Sequence, residues 1–476
     1  MTTQQTKALA APTTLSQMRP ENSRLHFVGV GGISMQALAL WCRHDGFEVS
    51  GCDPAISAAA RADLEAAGVA LHDHHDAAHA GDAEVVVHSM AVPVDHAELS
   101  AARAAGALVV RRIELLGELF RRRRAIGVTG SHGKSTTSGM LATMLLELEP
   151  DSSVQIGARL PALGGSHRYG SGAWLVAEVD ESDPGFAQLA CEVAVITNLE
   201  DDHVAGDFLE RRNYHASVAD LEAAATRYVM AAAALVYCAD WPDLARVVAG
   251  HPNAVTFGLS EHADFRVTDL EISEKGSTFT LARPGGGPLD VFLNVPGRHN
   301  ALNAAAAIAA LSQAGLDPEP ALHGLASFGG VGRRWQVWGE RRGAMVVDDY
   351  AVHATEVSTT LSVARATGRR VRAVLQPHRW VRTARQWRQL AEAASVADEV
   401  LVLDVYAAGE APIPGITPEL IVDRLAQLGV KASRHDLASA TDYLRGDVSA
   451  QDLVVTLGAG DVWRVASGLL AEEGDA

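Results

Sequence analysis

The sequence predicts an α/β fold divided among three domains. First, 476 residues exceed what one ordinary hydrophobic core organises, because compact domains usually hold about 100–200 residues. Second, apolar strands alternate with helical stretches along the chain, which is typical of parallel sheets covered on both faces. Third, the strand-then-helix pattern begins again after the Arg121–Arg124 run and after Gly329. We therefore expect boundaries at a tail 1–23 and domains 24–123, 124–331 and 332–476.

The first domain begins with an apolar strand, LHFVGV, that runs into a glycine turn and a helix to about His44. A second strand, FEVSGCD, completes a βαβ unit, and strands at Glu84–His88 and LVVRR follow. The segment before Arg24 has no long apolar core between a basic end and a cleavage site, so we expect a loose N-terminal tail.

The second and third domains repeat this beginning. AIGVTG predicts a buried strand, Ser135–Leu148 a helix, and WLVAEVD and VAVITNL two further strands. In the third domain, MVVDDY, RVRAVLQPH, EVLVLDVY and DLVVTLGAG predict four apolar strands separated by helices.

Composition excludes several classes of partner. Charged residues make up 21% of the chain and the formal net charge is −18, which disfavours nucleic acid and anionic membranes as partners. The four cysteines form no C-x-x-C pair, and no apolar run is long enough to span a bilayer. We expect a cytoplasmic protein that binds small molecules, and composition leaves the oligomeric state open.

The strongest local motif is GVTGSHGKST, between the predicted strand AIGVTG and the helix Ser135–Leu148. Such a loop directs backbone N–H groups at phosphates, while a lysine approaches the β- and γ-phosphates and a hydroxyl binds Mg²⁺. The strict template requires glycine where Val128 stands, so this is a variant P-loop. Only four of 40 basic residues are lysine, which makes Lys134 informative; the alternative is a turn with a surface lysine.

Acidic clusters end the next two predicted strands, within Ala177–Asp183 and Thr197–His203. Carboxyl ends of parallel strands share one edge of a sheet, so these carboxylates and the imidazole of His203 are candidates for a Mg²⁺ site beside the P-loop. Capping of the following helices is the alternative use of such residues.

The first glycine turn, GVGGIS, is an imperfect dinucleotide fingerprint followed by Asp53. It suits any nucleotide diphosphate as well as NAD. The histidine-rich segment LHDHHDAAHA could indicate a metal tract, but we interpret it as a polar loop.

Ten motifs in this order resemble the Mur ligases of bacterial peptidoglycan synthesis, from about Arg24 to the end: FVGVGGISM, TGSHGKSTT, AEVDESD, TNLEDDH, VPGRHNALNA, GVGRRWQ, DDYAVHATE, LQPHRWVRT, DVYAAGEAPIPG and TLGAGDVW. The resemblance is greatest to the branch that joins L-alanine to UDP-N-acetylmuramate. It implies a Rossmann-like UDP-binding domain, a central P-loop-type ATPase and a Rossmann-like C-terminal domain. It also implies ATP and Mg²⁺ as cofactors, with the nucleotide sugar and L-alanine as substrates. Other branches often carry a carbamylated lysine, and the absence of lysine between Lys134 and Lys275 agrees with the alanine-adding branch.

Site residues carry over from the family by matching motif. The resemblance implies ATP contacts from Gly130, Ser131, His132, Gly133, Lys134, Ser135, Thr136, His299, Asn300, Asn303 and Arg333. It implies Mg²⁺ ligands Ser135, Glu178 and His203, and catalytic roles for Lys134, Glu178, His203 and Asp349. It implies UDP-sugar contacts from Gly29, Gly31, Gly32, Asp53 and Ser89, and amino-acid contacts from Tyr350, His378, Arg379 and Arg382.

One departure from the family pattern stands in DDYAVHATE, where Val352 replaces a histidine expected near the transferred phosphate. Valine neither donates a hydrogen bond nor carries charge. Two alternatives to the alanine ligase stay open at this point. One is the related ligase that attaches a preformed peptide, which Ala351 favours and the DESD motif opposes. The other is a nucleotide-sugar-binding protein that has lost catalysis, motivated by Val352 and Ala354.

Overall fold

The computed structural model of the protein describes residues 12–201, 204, 215–273 and 275–471. Within them the strands form three sheets, one for each predicted domain. The chain divides into two compact units, the first comprising Met1–Thr268, Thr280–Val291 and Leu302–Ser327 and the second comprising Asp269–Phe279, Phe292–Ala301 and Phe328–Ala476. No helix among the described residues has both the length and the apolar character needed to cross a bilayer.

The N-terminal sheet is parallel throughout, with strand order β3-β2-β1-β4-β5. Its strands are β1 Arg24–Val28, β2 Glu48–Cys52, β3 Ala70–His72, β4 Val85–His88 and β5 Leu108–Arg111. Its helices are α1 Ile33–His44, α2 Ala58–Ala66, α3 Ala97–Ala104 and α4 Arg112–Arg122. β1 pairs with β2 and β4, so the turns after these three strands lie side by side.

The segment before this sheet corrects one prediction. Residues 12–23 are not a loose tail, because a 3-10 turn spans Leu15–Gln17 and Met18 is only 1% exposed. The carbonyl of Met18 also accepts a hydrogen bond from Arg122 Nη2 at 3.5 Å. Burial of one large apolar side chain thus anchors a segment that has no long apolar run.

The central sheet has strand order β15-β14-β13-β12-β11-β10-β6-β9-β7-β8. Its strands are β6 Arg124–Thr129, β7 Ser153–Leu160, β8 Gly165–Arg168, β9 Trp174–Glu178, β10 Val193–Ile196, β11 Ala234–Cys238, β12 Ala254–Gly258, β13 Phe265–Ser273, β14 Gly276–Ala282 and β15 Leu289–Leu293. The accompanying helices are α5 Lys134–Leu148, α6 Val218–Met230, α7 Leu244–Val247, α8 Arg298–Gln313 and α9 Leu322–Ser327. β6 lies between β10 and β9, so the loop after β6 is flanked by the carboxyl ends of both acidic-cluster strands.

The C-terminal sheet has strand order β16-β17-β21-β18-β19-β20, parallel except for the β16–β17 pair. Its strands are β16 Gln336–Arg341, β17 Ala344–Asp349, β18 Arg370–Leu375, β19 Glu399–Val402, β20 Lys431–Arg434 and β21 Asp452–Leu457. Its helices are α10 Ala354–Ala366, α11 Trp380–Ala394, α12 Glu419–Gln427, α13 Leu437–Asp447 and α14 Trp463–Leu470. Apolar clusters cover both faces of this sheet, as expected for parallel strands that read as continuous apolar runs.

Candidate active site

The loop between β6 and α5 has the backbone conformation of a phosphate-binding turn. Gly130 and Gly133 both have positive φ, 131° and 84°, and Gly133 is the N-cap of α5. A Cβ at Gly130 would collide with the Thr197 side chain, and one at Gly133 would lie 2.7 Å from Asn303 Oδ1. Val128 is buried inside β6, so the loop begins at Gly130 and is shorter than the strict template. The N-terminus of the 15-residue helix α5 therefore opens directly from this loop.

The segment after β10 supports this loop through hydrogen bonds to His132. The backbone N–H of His132 donates to Asn198 Oδ1 at 2.8 Å, and the Asn198 Nδ2 donates back to the His132 carbonyl at 3.0 Å. Thr197 Oγ1 donates to the same carbonyl at 2.6 Å. Ser131 Oγ accepts the N–H of Glu200 at 2.8 Å. The acidic segment TNLED therefore also stabilises the P-loop through these hydrogen bonds.

Lys134, the first residue of α5, forms a buried ion pair. Its Nζ lies 2.8 Å from Glu181 Oε2 and donates to the Gly130 carbonyl at 2.6 Å. The Lys134 side chain is 16% exposed and that of Glu181 is 1% exposed. Burial opposes the charge on Lys134, but the carboxylates of Glu181 and then Glu178 outweigh this effect and raise the pKa of the ammonium. Lys134 is therefore held charged at the edge of the phosphate loop.

The predicted metal ligands follow two of these elements. Ser135 is the second residue of α5, and Thr136 beside it is buried. Glu178 ends β9, and its Oε2 accepts the N–H of Gly157 at 2.7 Å. β9 pairs with β6, so Glu178 lies at the strand edge from which the P-loop emerges. His203 lies outside the described residues.

The glycine turn of the N-terminal domain gathers the residues predicted to contact the UDP-sugar. Gly29 follows β1, Asp53 follows β2 and Ser89 follows β4, and these strands are neighbours. Asp53 Oδ2 accepts the N–H of Gly31 at 2.9 Å, and a Cβ at Gly31 would lie 2.8 Å from that oxygen. Gly32 is the N-cap of α1, so the turn presents a second helix N-terminus.

The three residues predicted near adenine and the phosphates lie at the start of α8. Asn303 Oδ1 accepts a hydrogen bond from Thr137 Oγ1 of α5 at 3.2 Å. Asn300 Nδ2 donates to the Pro296 carbonyl at 2.7 Å. Burial, reinforced by the positive charge of Arg334, lowers the pKa of His299 to about 4, so this imidazole is neutral at pH 7.

Asp349, at the end of β17, organises the loop that opens the C-terminal domain. Its two carboxylate oxygens accept the N–H groups of Trp335 at 2.8 Å and Ala351 at 2.9 Å. Burial raises the pKa of Asp349 to about 6, although Arg334 and the two N–H donors favour its charged form. Tyr350, which follows, is 39% exposed and lies beneath the guanidinium of Arg334 at 5.2 Å.

Arg333 directs most of its hydrogen bonds into the C-terminal domain itself. Its Nε donates to Asp348 Oδ2 at 2.8 Å, and its two terminal nitrogens donate to carbonyls of Gly458, Ala459 and Gly460. Four of the five N–H donors of the Arg333 guanidinium are used in this way. The predicted contact with ATP stays a prediction.

Three of the four residues predicted to bind the amino acid, His378, Arg379 and Arg382, lie at the start of α11, whereas Tyr350 follows β17. Arg382 Nη1 lies 3.3 Å from His378 Nδ1, whose ring stacks on Tyr406. Burial first, and then Arg382 and Arg379, lower the pKa of His378 to about 4. Arg379 has positive φ, 69°, and its Nε lies 3.3 Å from Glu410 Oε1. Two guanidinium groups and a neutral imidazole thus occupy one corner of the domain.

Val352 lies in the cap of α10. Glu356 Oε2 accepts the N–H groups of Val352 at 2.9 Å and His353 at 3.2 Å. The backbone at position 352 is thereby fixed by a capping box, whereas the valine side chain is half-buried. A different side chain at position 352 would therefore be attached to a backbone that these hydrogen bonds already order.

Three family models match consecutive parts of the chain. They are described as the Mur ligase family catalytic domain at residues 24–124, the Mur ligase middle domain at 128–311 and the Mur ligase glutamate ligase domain at 333–460. The chain belongs to the Mur ligase family. Its α/β fold with three domains agrees with the prediction from the sequence.

Curated relatives match this Mur ligase over nearly its whole length. The UDP-N-acetylmuramate–L-alanine ligase of Deinococcus radiodurans is 44% identical, covering 96% of this chain and 95% of the relative. The ligase of the same name from Symbiobacterium thermophilum is 40% identical, covering 94% of both chains.

Solved structures share the same architecture. The crystal structure of UDP-N-acetylmuramate–alanine ligase from Thermotoga maritima has a TM-score of 0.78 at 27% identity, covering 94% of this chain and 98% of that chain. A Mur ligase structure described as MurF from Thermotoga maritima in complex with ADP has a TM-score of 0.60 at 21% identity and shows likeness of fold alone.

Two residues of this Mur ligase were not singled out by sequence reasoning. Glu181 is one of four acidic residues in AEVDESD, and the motif does not reveal which of them faces Lys134. Glu410, in the loop after β19, accepts the N–H of Val381 at 3.0 Å besides its ion pair with Arg379. Glu181 is buried and Glu410 is half-buried, and each carboxylate positions a predicted site cation.

Proposed function

We propose that this Mur ligase joins L-alanine to the carboxylate of UDP-N-acetylmuramate, converting ATP to ADP and phosphate, in the synthesis of peptidoglycan precursors. The observation that carries the proposal is the near-full-length likeness to relatives bearing that activity in their names. The chemistry is supported by a lysine held charged at a glycine-rich helix N-terminus.

The P-loop fits the triphosphate of ATP. Gly130 and Gly133 allow the loop to pack closely against the segment after β10 and against Asn303, and the N-terminus of α5 favours negative charge. Lys134 Nζ, now bonded to the Gly130 carbonyl, turns toward the β- and γ-phosphates when the nucleotide binds. Asn303 borders the same loop through Thr137.

Mg²⁺ is held by Ser135, Glu178 and His203 in this proposal. The hydroxyl and carboxylate supply hard oxygen ligands of the kind Mg²⁺ prefers, and His203 is the third ligand implied by the family motif. When bound, Mg²⁺ neutralises charge on the phosphates. The carboxylates that raise the pKa of Lys134 give this edge of the sheet the negative field that a divalent cation requires.

The reaction consists of two displacement steps, the first at phosphorus and the second at carbon. A muramate carboxylate oxygen attacks the γ-phosphorus, the bond to the ADP oxygen breaks, and an acyl phosphate forms. The amine of alanine then attacks the acyl carbon, loses a proton, and expels phosphate that carries the muramate oxygen. Lys134 stabilises the charge that grows on the transferred phosphoryl group. Arg379 and Arg382 bind the alanine carboxylate through charge-assisted hydrogen bonds.

The N-terminal glycine turn binds the UDP-sugar. Its diphosphate accepts N–H groups at the start of α1, and Asp53 fixes the turn through Gly31. ATP and a nucleotide sugar are intracellular metabolites, and the four cysteines are free thiols, so we assign the enzyme to the cytoplasm.

Phosphate release from ATP and UDP-N-acetylmuramate tests the proposal. We expect release that depends on L-alanine and is absent with a preformed tripeptide, accompanied by ADP. Tripeptide-dependent release without response to L-alanine would identify the peptide-attaching ligase instead. Binding of the UDP-sugar with no release in any reaction would identify a protein that has lost catalysis through changes such as Val352.

A further inference from the structure

A cluster of metal-ligand side chains lies in the N-terminal domain. We call Cys52, His75, His96 and Glu98 the Cys52 cluster. Cys52 ends β2, His75 follows β3, His96 is the N-cap of α3, and Glu98 lies in its first turn. Cys52 and Glu98 are completely buried. The ligase reaction assigns no role to this cluster.

The ligand atoms of Cys52, His75 and Glu98 are close to one another, and His96 approaches Glu98. Cys52 Sγ lies 3.2 Å from His75 Nδ1 and 3.0 Å from Glu98 Oε2. The same carboxylate oxygen lies 3.4 Å from His75 Nδ1 and 3.9 Å from His96 Nδ1. A tetrahedral ion with bonds of about 2.0–2.3 Å holds neighbouring ligand atoms roughly 3.3–3.6 Å apart. The distances among Cys52, His75 and Glu98 therefore lie within a few tenths of an ångström of that spacing, and His96 moves toward Cys52 to complete the shell.

One atom of the cluster lacks a partner within the described structure. His96 Nδ1 is buried and makes no hydrogen bond, which is costly for a polar atom. It faces Glu98 Oε2 at a distance too long for a hydrogen bond. A cation between the two groups would satisfy both.

The other oxygen of Glu98 is held by supporting groups. Glu98 Oε1 accepts the N–H of Asp76 at 2.9 Å and lies 3.3 Å from Nδ1 of His79. The His79 ring stacks on that of His72, with ring centroids 3.8 Å apart. Carboxylate ligands of metals are commonly oriented by such outer contacts. The segment LHDHHDAAHA, interpreted from sequence as a plain loop, thus contributes one candidate ligand and two supporting histidines.

The donor set selects the class of metal. A thiolate, two imidazoles and a carboxylate suit Zn²⁺ and similar divalent transition metals, whereas Mg²⁺ and Ca²⁺ prefer oxygen ligands alone. The His75 side chain is 33% exposed, so an ion can reach the cluster from solvent.

We propose that the Cys52 cluster binds one divalent transition metal of the zinc class in tetrahedral coordination. The site joins the end of β2, the segment after β3 and the start of α3. Cys52 immediately precedes Asp53, which fixes the glycine turn through Gly31, so the ion also stabilises the predicted UDP-sugar site. The proposal is independent of the ligase reaction.

Cobalt substitution tests the site without measuring activity. Full-length protein freed of metal by chelation is titrated with Co²⁺ and then Zn²⁺ in the presence of excess Mg²⁺ and ATP. We expect one Co²⁺ per chain, a sulfur-to-cobalt charge-transfer band, tetrahedral d–d bands, and displacement by one Zn²⁺. A cobalt spectrum without the sulfur band would overturn the proposal, as would the absence of binding.

Matched variants locate the ion. Cys52→Ser should abolish the sulfur band, and His75→Ala should weaken Zn²⁺ binding by more than the roughly 10–100-fold that follows loss of a supporting group. Cys42→Ser, at another buried cysteine of the same domain, and His74→Ala, at the exposed neighbour of His75, should leave band and affinity unchanged. If Cys42→Ser removes the band or His74→Ala weakens Zn²⁺ equally, the ion is bound elsewhere and the assignment is wrong. A circular dichroism spectrum equal to that of the wild type would show that Cys52→Ser is folded. If Cys52→Ser does not fold, the Zn²⁺ affinity of His75→Ala tests the site independently.

Discussion

The ion pair between Lys134 and Glu181 permits the structural and catalytic roles of the lysine to be separated. We consider three variants: Lys134→Met, Glu181→Gln, and the two combined. Methionine keeps an unbranched side chain of similar length without the charge, and glutamine keeps the shape of the glutamate. In the wild-type protein Nζ and Oε2 are 2.8 Å apart and Glu181 is 1% exposed.

The magnitudes follow from this burial. Removing one member of a buried ion pair leaves an uncompensated charge and typically costs about 3–5 kcal/mol. We expect about 3 kcal/mol for Lys134→Met, because the lysine side chain retains 16% exposure. The double variant buries no unpaired charge, so it should recover most of that loss. Ligation should stay reduced by at least roughly 100-fold in both methionine variants, since loss of a group that stabilises the transferred phosphoryl costs about 3 kcal/mol or more.

Two assays on the same samples test this reasoning. Urea unfolding followed by circular dichroism gives stability, and L-alanine-dependent phosphate release gives activity. Lys275→Met, at an exposed lysine of the chain, is the control and should change neither quantity. Wild-type activity in the double variant would refute the catalytic role of Lys134. Equal stability of Lys134→Met and the double variant would refute the coupling to Glu181.

Three further predictions concern the C-terminal domain. Arg379→Ala and Arg382→Ala should each raise the KM for L-alanine by roughly 10–100-fold, because each variant loses a hydrogen bond to a charged group worth about 1.5–3 kcal/mol. The KM for ATP should stay nearly unchanged. Equal effects on both substrates would contradict the pocket assignment. Val352→His should alter single-turnover acyl-phosphate formation by roughly tenfold or less without changing UDP-sugar affinity, and a lost UDP-sugar affinity would show that the loop acts elsewhere. For Asp349, folding raises the pKa to about 6, so the folded state keeps a proton that the unfolded state releases above its ordinary pKa of 3.8. Stability of the wild-type domain should therefore fall by up to about 3 kcal/mol as pH rises from 4 to 6, and urea unfolding of Asp349→Asn should lack that slope.

The fold was predictable for most strands of the sheet interiors that are buried on both faces. Seven strands have apolar sequences and lie close to their predicted positions, namely β6, β9, β10, β17, β18, β19 and β21. The strands from β11 to β15 were not predicted, although β11 is almost entirely buried, and the edge strands β16 and β20 were not predicted because their faces meet solvent. β16 and β20, with the sequences QVWGER and KASR, are polar and mostly exposed or half-buried, and only their pairing with β17 and β19 identifies them.

The site was predictable as a set of motifs but not as a set of contacts. The glycine loop, its lysine and the acidic strand ends are local signals that sequence displays directly. The partnership of Lys134 with Glu181, 47 positions later by number, depends on the pairing of β6 with β9. The Cys52 cluster was hidden for the same reason, since Cys52 and Glu98 are brought together only by parallel strands and the helix packed on them.

Transfer of labelled oxygen tests the central claim most directly. UDP-N-acetylmuramate carrying ¹⁸O in its carboxylate is converted with ATP and L-alanine, and the phosphate is analysed by mass spectrometry. Attack of the carboxylate on the γ-phosphorus followed by displacement with the amine predicts one ¹⁸O in each inorganic phosphate released from a fully labelled carboxylate, and none in ADP. Unlabelled phosphate, or label recovered in a nucleotide monophosphate, would contradict the acyl-phosphate route.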